Sequence, residues 1–184
     1  MSIHTAEVSW VRNEAAFTDN KYSRVHRWSF DGGVIVPASS SPQVVDVPLS
    51  DPACVDPEEA FLAALSSCHM LWFLGLAARN GYVVNSYADA AEGQTGKNAD
   101  GKEAMIKVTL RPVVVISTGK QPTDADIEKL HHDAHESCFS QARSKPKSPS
   151  KAVGVSLSCI ELKRRTVSIG PYAGMTFTNE SYRP

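Results

Sequence analysis

Little in this sequence is extreme, and each thing it lacks closes off a class of protein. It has four cysteines in 184 residues, Cys54, Cys68, Cys138 and Cys159. That is too few to staple a disulfide scaffold. It has almost no net charge, −1 at pH 7, so no bulk attraction to nucleic acid or to an anionic membrane is implied. Its first residues, Met1-Ser2-Ile3-His4-Thr5-Ala6-Glu7, carry neither a basic start nor an apolar run, and no secretory leader is expected. A cytoplasmic setting follows as the default, where thiols stay reduced unless they have redox work. What is present is ordinary: 42% hydrophobic and 21% charged residues, the balance of a globular chain with one real core.

The near-zero charge conceals an asymmetry. Residues 140–184 hold eight Lys or Arg and two acids, Glu161 and Glu180, a balance of +6, so residues 1–139 carry −7. The junction reads SQARSKPKSPSK over Ser140–Lys151, with no large apolar side chain. Such a segment cannot offset its ordering entropy by burial and reads as a basic surface tail or linker. No aromatic is interleaved with the basic cluster, which weakens a nucleic-acid role.

Alternation over Thr5–Val11 predicts a strand, with Ala6, Val8 and Trp10 on one face. A second strand is expected over Arg24–Phe30, then a turn at Asp31-Gly32-Gly33 and a partner strand at Val34–Val36. Residues 37–52 are a Pro- and Ser-rich loop. Asp56 as N-cap, Pro57 at the first position and Glu59 at the third then announce a helix, which Asn80-Gly81 stops. Tyr82–Ala91 and Ala104–Ile116 read as two strands joined through the polar stretch Thr95–Lys102. Thr123 and Asp126 cap a second helix reaching about Cys138. The order of elements predicts an α+β domain with mostly antiparallel sheets.

The first helix contains FLAALSSCHMLWFLGLAA over Phe61–Ala78, eighteen residues without a charge. That is threshold length for a membrane span, but its middle, Ser66-Ser67-Cys68-His69, suits hydrocarbon poorly. It reads instead as a helix buried on every side. One small sheet covers only one of those sides, so a homodimer with this helix near the interface is expected. Cys68 and its polar neighbours suggest that the helix opens onto a small polar pocket. On the second helix His131, His135 and Cys138 share a face at i, i+4, i+7. With Cys68 or His69 they could complete a zinc set, an alternative to thiol chemistry.

These residues resemble the OsmC family, which includes the organic hydroperoxide resistance proteins. The similarity runs from about Tyr22 to Phe139. Its most specific stretch is DPEEAFLAALSSCHM over Asp56–Met70, where the first cysteine, Cys68, lies ten positions after Glu58. Pro-Ala-Ser-Ser-Ser-Pro at 37–42, Ala-Ala-Glu-Gly at 90–93 and Gly-Lys-Asn-Ala at 96–99 fit one branch. The second cysteine maps onto Cys138, and the N-terminal arginine onto Arg24, with Arg27 as fallback. The resemblance implies antiparallel sheets around a long central helix, in an intertwined homodimer with a thiol-dependent peroxidase site at its interface. Its partners would be a hydroperoxide substrate and an external dithiol reductant, with no cofactor, metal, nucleic acid or membrane. Zinc or small-ligand binding on the same fold, or an inactive member with a disrupted C-terminus, are the alternatives.

In that reading Cys68 attacks the peroxide and Cys138 resolves it. Burial disfavours a thiolate; the Arg24 guanidinium would favour it and hydrogen-bond the leaving oxygen. Glu58 would hold Arg24 through a bidentate pair. Ten residues of helix span about 15 Å, so Glu58 cannot touch Cys68 of its own chain. Either Arg24 stretches between them, or Glu58 serves the cysteine of a second copy. Cys54 and Cys159 match no family cysteine and read as bystanders.

The resemblance stops after Phe139, where family members continue with an apolar strand. A single base inserted after the Phe139 codon, in one permitted set of codons, turns FSQARSKPKSP into FIASSVKTEVT, which fits that strand. The chain is therefore expected to divide into an OsmC-like domain, 1–139, and an atypical basic tail, 140–184, that is a frameshifted read.

Overall fold

The structure is a computed structural model that describes residues 3–138 and the backbone of residues 160–162 and 165–168. It contains nine strands and two helices among those residues. They are β1 (Ala6–Ser9), β2 (His26–Phe30), β3 (Ile35–Ala38), α1 (Pro57–Arg79), β4 (Val84–Asp89), β5 (Glu92–Lys97), β6 (Glu103–Leu110), β7 (Pro112–Ile116), α2 (Asp124–Ser137), β8 (Ile160–Leu162) and β9 (Arg165–Ser168). The described residues form two compact units, one within 1–65 and 92–108, the other within 66–91 and from 109 onward.

In the first unit β1, β2 and β3 make an antiparallel meander in that order. The turn between β2 and β3 closes through Gly33, at φ +81°, a conformation that glycine adopts without a Cβ penalty. Strands β5 and β6 are neighbours joined by a turn centred on Asn98. Its Oδ1 accepts from Asp100 and Lys102 N–H at 2.9 and 3.0 Å, local bonding that favours Asn at turns. Gly93 and Gly96 are the glycines of two motif segments. A Cβ on Gly93 would lie 2.7 Å from Met105 Sδ and 2.9 Å from Leu62 Cδ2, and one on Gly96 2.8 Å from Ile106 Cδ1. A side chain at either place would force its neighbours aside.

Helix α1 begins as its sequence predicts. Asp56 Oδ1 accepts from Glu59 N–H at 2.7 Å, and Glu59 Oε2 accepts from Asp56 N–H at 3.2 Å, a reciprocal capping box. Its C-terminus closes as a Schellman motif: Tyr82 N–H donates to Ala77 O and Gly81 N–H to Ala78 O, both at 3.0 Å, with Gly81 at φ +75°. Helix α1 is long and apolar enough to cross a membrane by length and composition alone.

Burial on every side is expected only with a second copy against α1, and within one copy a single stripe is covered. Only the i, i+4 stripe Leu65, His69, Phe73 and Ala77 is buried, and Ala64, Ser67, Leu71, Gly75 and Ala78 are exposed, Leu71 at 64%. One layer of packing covers one stripe of a helix.

In the second unit Phe73, Ala77, Tyr82, Val114, Ile116, Ile127, Leu130 and Ala134 form the core. Strand β7 alternates, burying Pro112, Val114 and Ile116, as a half-covered strand must. It lies between β4, antiparallel, and β9, parallel. Thr123 and Asp126 form the capping box of α2. Its buried Ile127, Leu130, His131 and Ala134 follow a helical period.

The two strands expected over Tyr82–Ala91 and Ala104–Ile116 are three, β4, β6 and β7, and a further strand, β5, runs into the stretch read as their connection. The second breaks at Arg111, where Pro112 has no N–H for a ladder. The Arg111 N–H donates instead to Asp89 Oδ1 at 2.6 Å. The tail from Ser140 onward, including Cys159, lies outside the described residues apart from the backbones of β8 and β9.

Candidate active site

The four candidate residues fall into two groups, Arg24 and Glu58 in the first unit and Cys68 and Cys138 in the second. In the first, Arg24 and Glu58 line one cavity of about 490 Å³, with Val8, Trp10, Phe17, Tyr22 and His26 among its walls. Three of those walls are aromatic rings packed on one another. Trp10 meets Phe17 and Tyr22 at centroid distances of 5.9 and 5.2 Å, and Phe17 stacks on Tyr22 at 4.7 Å. The indole of Trp10 donates to Ser23 O at 2.7 Å, which fixes its ring.

Arg24 is fixed from both ends. Its backbone N–H donates to Leu49 O at 2.7 Å. Its carbonyl accepts from His26 Nδ1 at 2.8 Å, while His26 Nε2 accepts from Trp28 Nε1 at 3.0 Å. An indole nitrogen only donates and a carbonyl only accepts, so His26 carries its proton on Nδ1.

The guanidinium lies 3.7 Å from the centroid of the Tyr22 ring, a cation–π contact. Nη1 donates to Tyr22 O, and Nη2 donates to Asn20 O at 3.1 Å and to Asn20 Oδ1 at 2.8 Å. Here the structure differs from expectation. Arg24 is held by Asn20 and Tyr22 rather than by a bidentate pair with Glu58, because acceptors four and two residues away are local and need no second element. Glu58 shares the cavity wall without an ion pair among the described residues. Arg27 is exposed, donates to Ser9 Oγ at 3.1 Å and is absent from the cavity wall.

In the second unit Cys68 is partly exposed at the middle of α1, and Cys138 is the buried C-cap of α2, 3% exposed. Polar side chains on the helices that carry them are paired. Ser66 Oγ donates to Asp89 Oδ2 at 2.5 Å. His69 Nε2 and His131 Nδ1 share a hydrogen bond of 3.1 Å, with parallel rings. Phe73 stacks on His131 at 4.4 Å.

Burial, reinforced by His135 and opposed by Asp89, pushes His69 down from 6.5 to about 4. His135 is also lowered, first by burial. Cys54 is raised by burial and by Asp51, the opposite of what a nucleophilic thiol needs. Successive helix residues point about 100° apart, so His69 is turned into the interior, where it meets His131. Among the described residues no group of three or more His, Cys, Asp or Glu could hold a metal ion. His131 is taken by His69 and by Phe73, so the proposed zinc face does not assemble.

The sequence reading missed the aromatic walls, Asn20 and the His69–His131 pair. Trp10 and Tyr22 were visible as strand-flanking aromatics. The histidine pair joins residues 62 apart and has no local signature.

A capped helix with a cysteine at its middle, and a second helix ending in another, both on an α+β frame of small sheets, define a class of two-thiol α+β domains. The chain belongs to the OsmC-like protein family, whose sequence profile matches residues 50–143. It is similar to a solved OsmC-like protein of unknown function from Vibrio cholerae O1 biovar eltor: 50% identical, with 91% of this chain and 100% of that chain covered, at a TM-score of 0.77. An organic hydroperoxide resistance protein from Elizabethkingia anophelis shares the fold at 15% identity, covering 92% of this chain and 99% of that chain, with a TM-score of 0.58. So does an organic hydroperoxide resistance protein OsmC from Legionella pneumophila, at 15% identity, 92% and 98% coverage and a TM-score of 0.54. No curated protein matches the chain.

Proposed function

We propose that this chain is a thiol peroxidase that reduces organic hydroperoxides. The observation that carries the reading is the cavity that Arg24 and Glu58 both line beside aromatic walls: a cation and a carboxylate at an apolar site sized for a small organic molecule. The relative exposure of the thiols supports the assignment of roles, with Cys68 accessible to a peroxide and Cys138 buried.

The Cys68 thiolate attacks the outer oxygen of ROOH. The O–O bond breaks, the leaving RO⁻ takes a proton to become ROH, and Cys68 becomes a sulfenic acid. The Cys138 sulfur then attacks Cys68 Sγ. The S–O bond breaks, the thiol proton leaves with the oxygen as water, and a disulfide forms. An external dithiol reduces it by exchange. The Arg24 guanidinium stabilises the thiolate and the negative oxygen, and Glu58 balances its charge.

Glu58 and Cys68 lie on one straight helix about 15 Å apart by helical rise. The reading therefore pairs the cavity of one copy with Cys68 of a second copy. The exposed stripe Ala64, Ser67, Leu71, Gly75 and Ala78 of α1 supports a homodimer. Its small side chains let another surface approach closely.

The test is dithiol-dependent consumption of cumene hydroperoxide by wild type and by Cys68→Ser. Activity in the wild type and none in the variant is expected, and equal rates remove the reading. Mixing inactive Glu58→Gln and Cys68→Ser chains is expected to restore activity. Failure to restore it, with mixed dimers present, rules out sites shared between copies.

A further inference from the structure

We propose that the hydrogen bond between His69 and His131 holds Cys68 and Cys138 in register for disulfide formation, with His131 as the positioning residue. This rests on the peroxidase reading above and deepens its resolving step.

Two imidazoles sit in the interior, 2% and 1% exposed. A buried polar ring is costly unless it is satisfied, and these rings satisfy each other across two helices. His69 follows Cys68 on α1. His131 stands about two turns before Cys138 on α2. Phe73 and Ala77 of α1 and Leu130 and Ala134 of α2 belong to one apolar core. Apolar packing is non-directional and tolerates a slide. A hydrogen bond of 3.1 Å between parallel rings, one of them covered by Phe73, does not. It fixes where along α1 the second helix sits, and hence how its capping thiol approaches the sulfenic acid.

The step it serves balances as written above: the Cys68 S–O bond breaks, the S–S bond forms, and the Cys138 proton departs in water, the oxidant being the organic hydroperoxide. The role assigned to the pair is positional: it sets the placement of α2 against α1. Misplacement of a nucleophile by a fraction of its bond-forming distance is enough to slow such a step severely.

The test is to oxidise the full chain with one equivalent of cumene hydroperoxide, quench at intervals and weigh the products by intact mass spectrometry. The variants are His131→Leu, which removes the nitrogen, and His131→Asn, whose side-chain amide places a polar atom where Nδ1 stood. For His131→Leu, sulfenic acid is expected to form at the wild-type rate. The disulfide should then form about tenfold or more slowly, the scale of one lost buried hydrogen bond, and sulfinic acid should accumulate under excess peroxide.

His131→Asn is expected to restore disulfide formation to within about threefold of wild type, since a hydrogen-bonding partner is retained. If the leucine variant does not fold, His131→Met supplies the same comparison with an unbranched side chain. Disulfide formation at the wild-type rate in His131→Leu or His131→Met overturns the proposal, as does failure of the asparagine to rescue. A wild type whose Cys68 is not oxidised at all overturns the peroxidase reading itself and this proposal with it.

Discussion

The buried histidine pair makes stability depend on acid in a way that can be worked out beforehand. His69 sits at about 4 when folded, against 6.5 for an ordinary histidine, burial being the first cause. Between those values the unfolded chain binds a proton that the folded chain refuses. The stability is therefore intact above pH 6.5, falls as pH drops from 6.5 toward 4, and levels off below. The gap corresponds to about 3 kcal/mol in full, of which about 2 kcal/mol is already lost at pH 5. His135 shifts in the same direction and adds to the loss.

The perturbation is His69→Gln, whose amide can meet His131 without titrating. Urea unfolding, followed by tryptophan fluorescence at pH 7.5 and pH 5.0 and at one protein concentration, gives each protein's loss of stability. Wild type is expected to lose about 2 kcal/mol more than the variant. Contributions from titrating groups away from the pair are common to both and cancel. Equal losses would refute the claim that burial keeps His69 neutral.

The remaining predictions concern other parts of the molecule. Asp89→Ala removes the acceptor of both Ser66 Oγ and the Arg111 N–H, and thermal or urea unfolding is expected to show a loss of about 1–3 kcal/mol. Phe17→Leu takes a stacked ring from the cavity wall. The ratio of kcat/KM for cumene hydroperoxide to that for tert-butyl hydroperoxide is expected to fall about three- to tenfold, since an aromatic pair is worth about 0.5–1.5 kcal/mol beyond its area; an unchanged ratio excludes the ring from substrate recognition. Resequencing the gene is expected to find one more base after the Phe139 codon, restoring an apolar strand in place of the basic tail; clean sequence in the present frame excludes the frameshift.

What was legible in the sequence was what local chemistry decides. Both capping boxes, Asp56 with Glu59 and Thr123 with Asp126, are reciprocal bonds between residues three apart, and both formed as read. The Gly81 stop is equally local. The strand break at Arg111-Pro112 was not read, because Pro112 opens an apolar run whose β character outweighs one missing N–H. The Asp89 carboxylate that replaces the ladder bond is more than twenty residues away in sequence. The parallel partner β9 was likewise out of reach, since no local pattern announces a pairing between distant strands.

The site divides along the same line, and α1 shows why. Its sequence is apolar on all sides, so periodicity alone could not choose a buried face. The fold chose the stripe Leu65, His69, Phe73 and Ala77, which puts a histidine inside while the neighbouring cysteine stays partly accessible. A histidine can occupy that stripe only if another element brings it a partner, and His131 on α2 does so. Arg24 and Glu58, named from the sequence, line one cavity. The partner of Arg24 was misjudged because the reading looked for a charge, whereas Asn20 and the Tyr22 carbonyl and ring lie within one short loop. In the peroxidase reading, Arg24 held by neutral groups presents its full charge to a developing negative oxygen, and Glu58, in the same cavity wall without a direct ion pair, balances that charge at longer range.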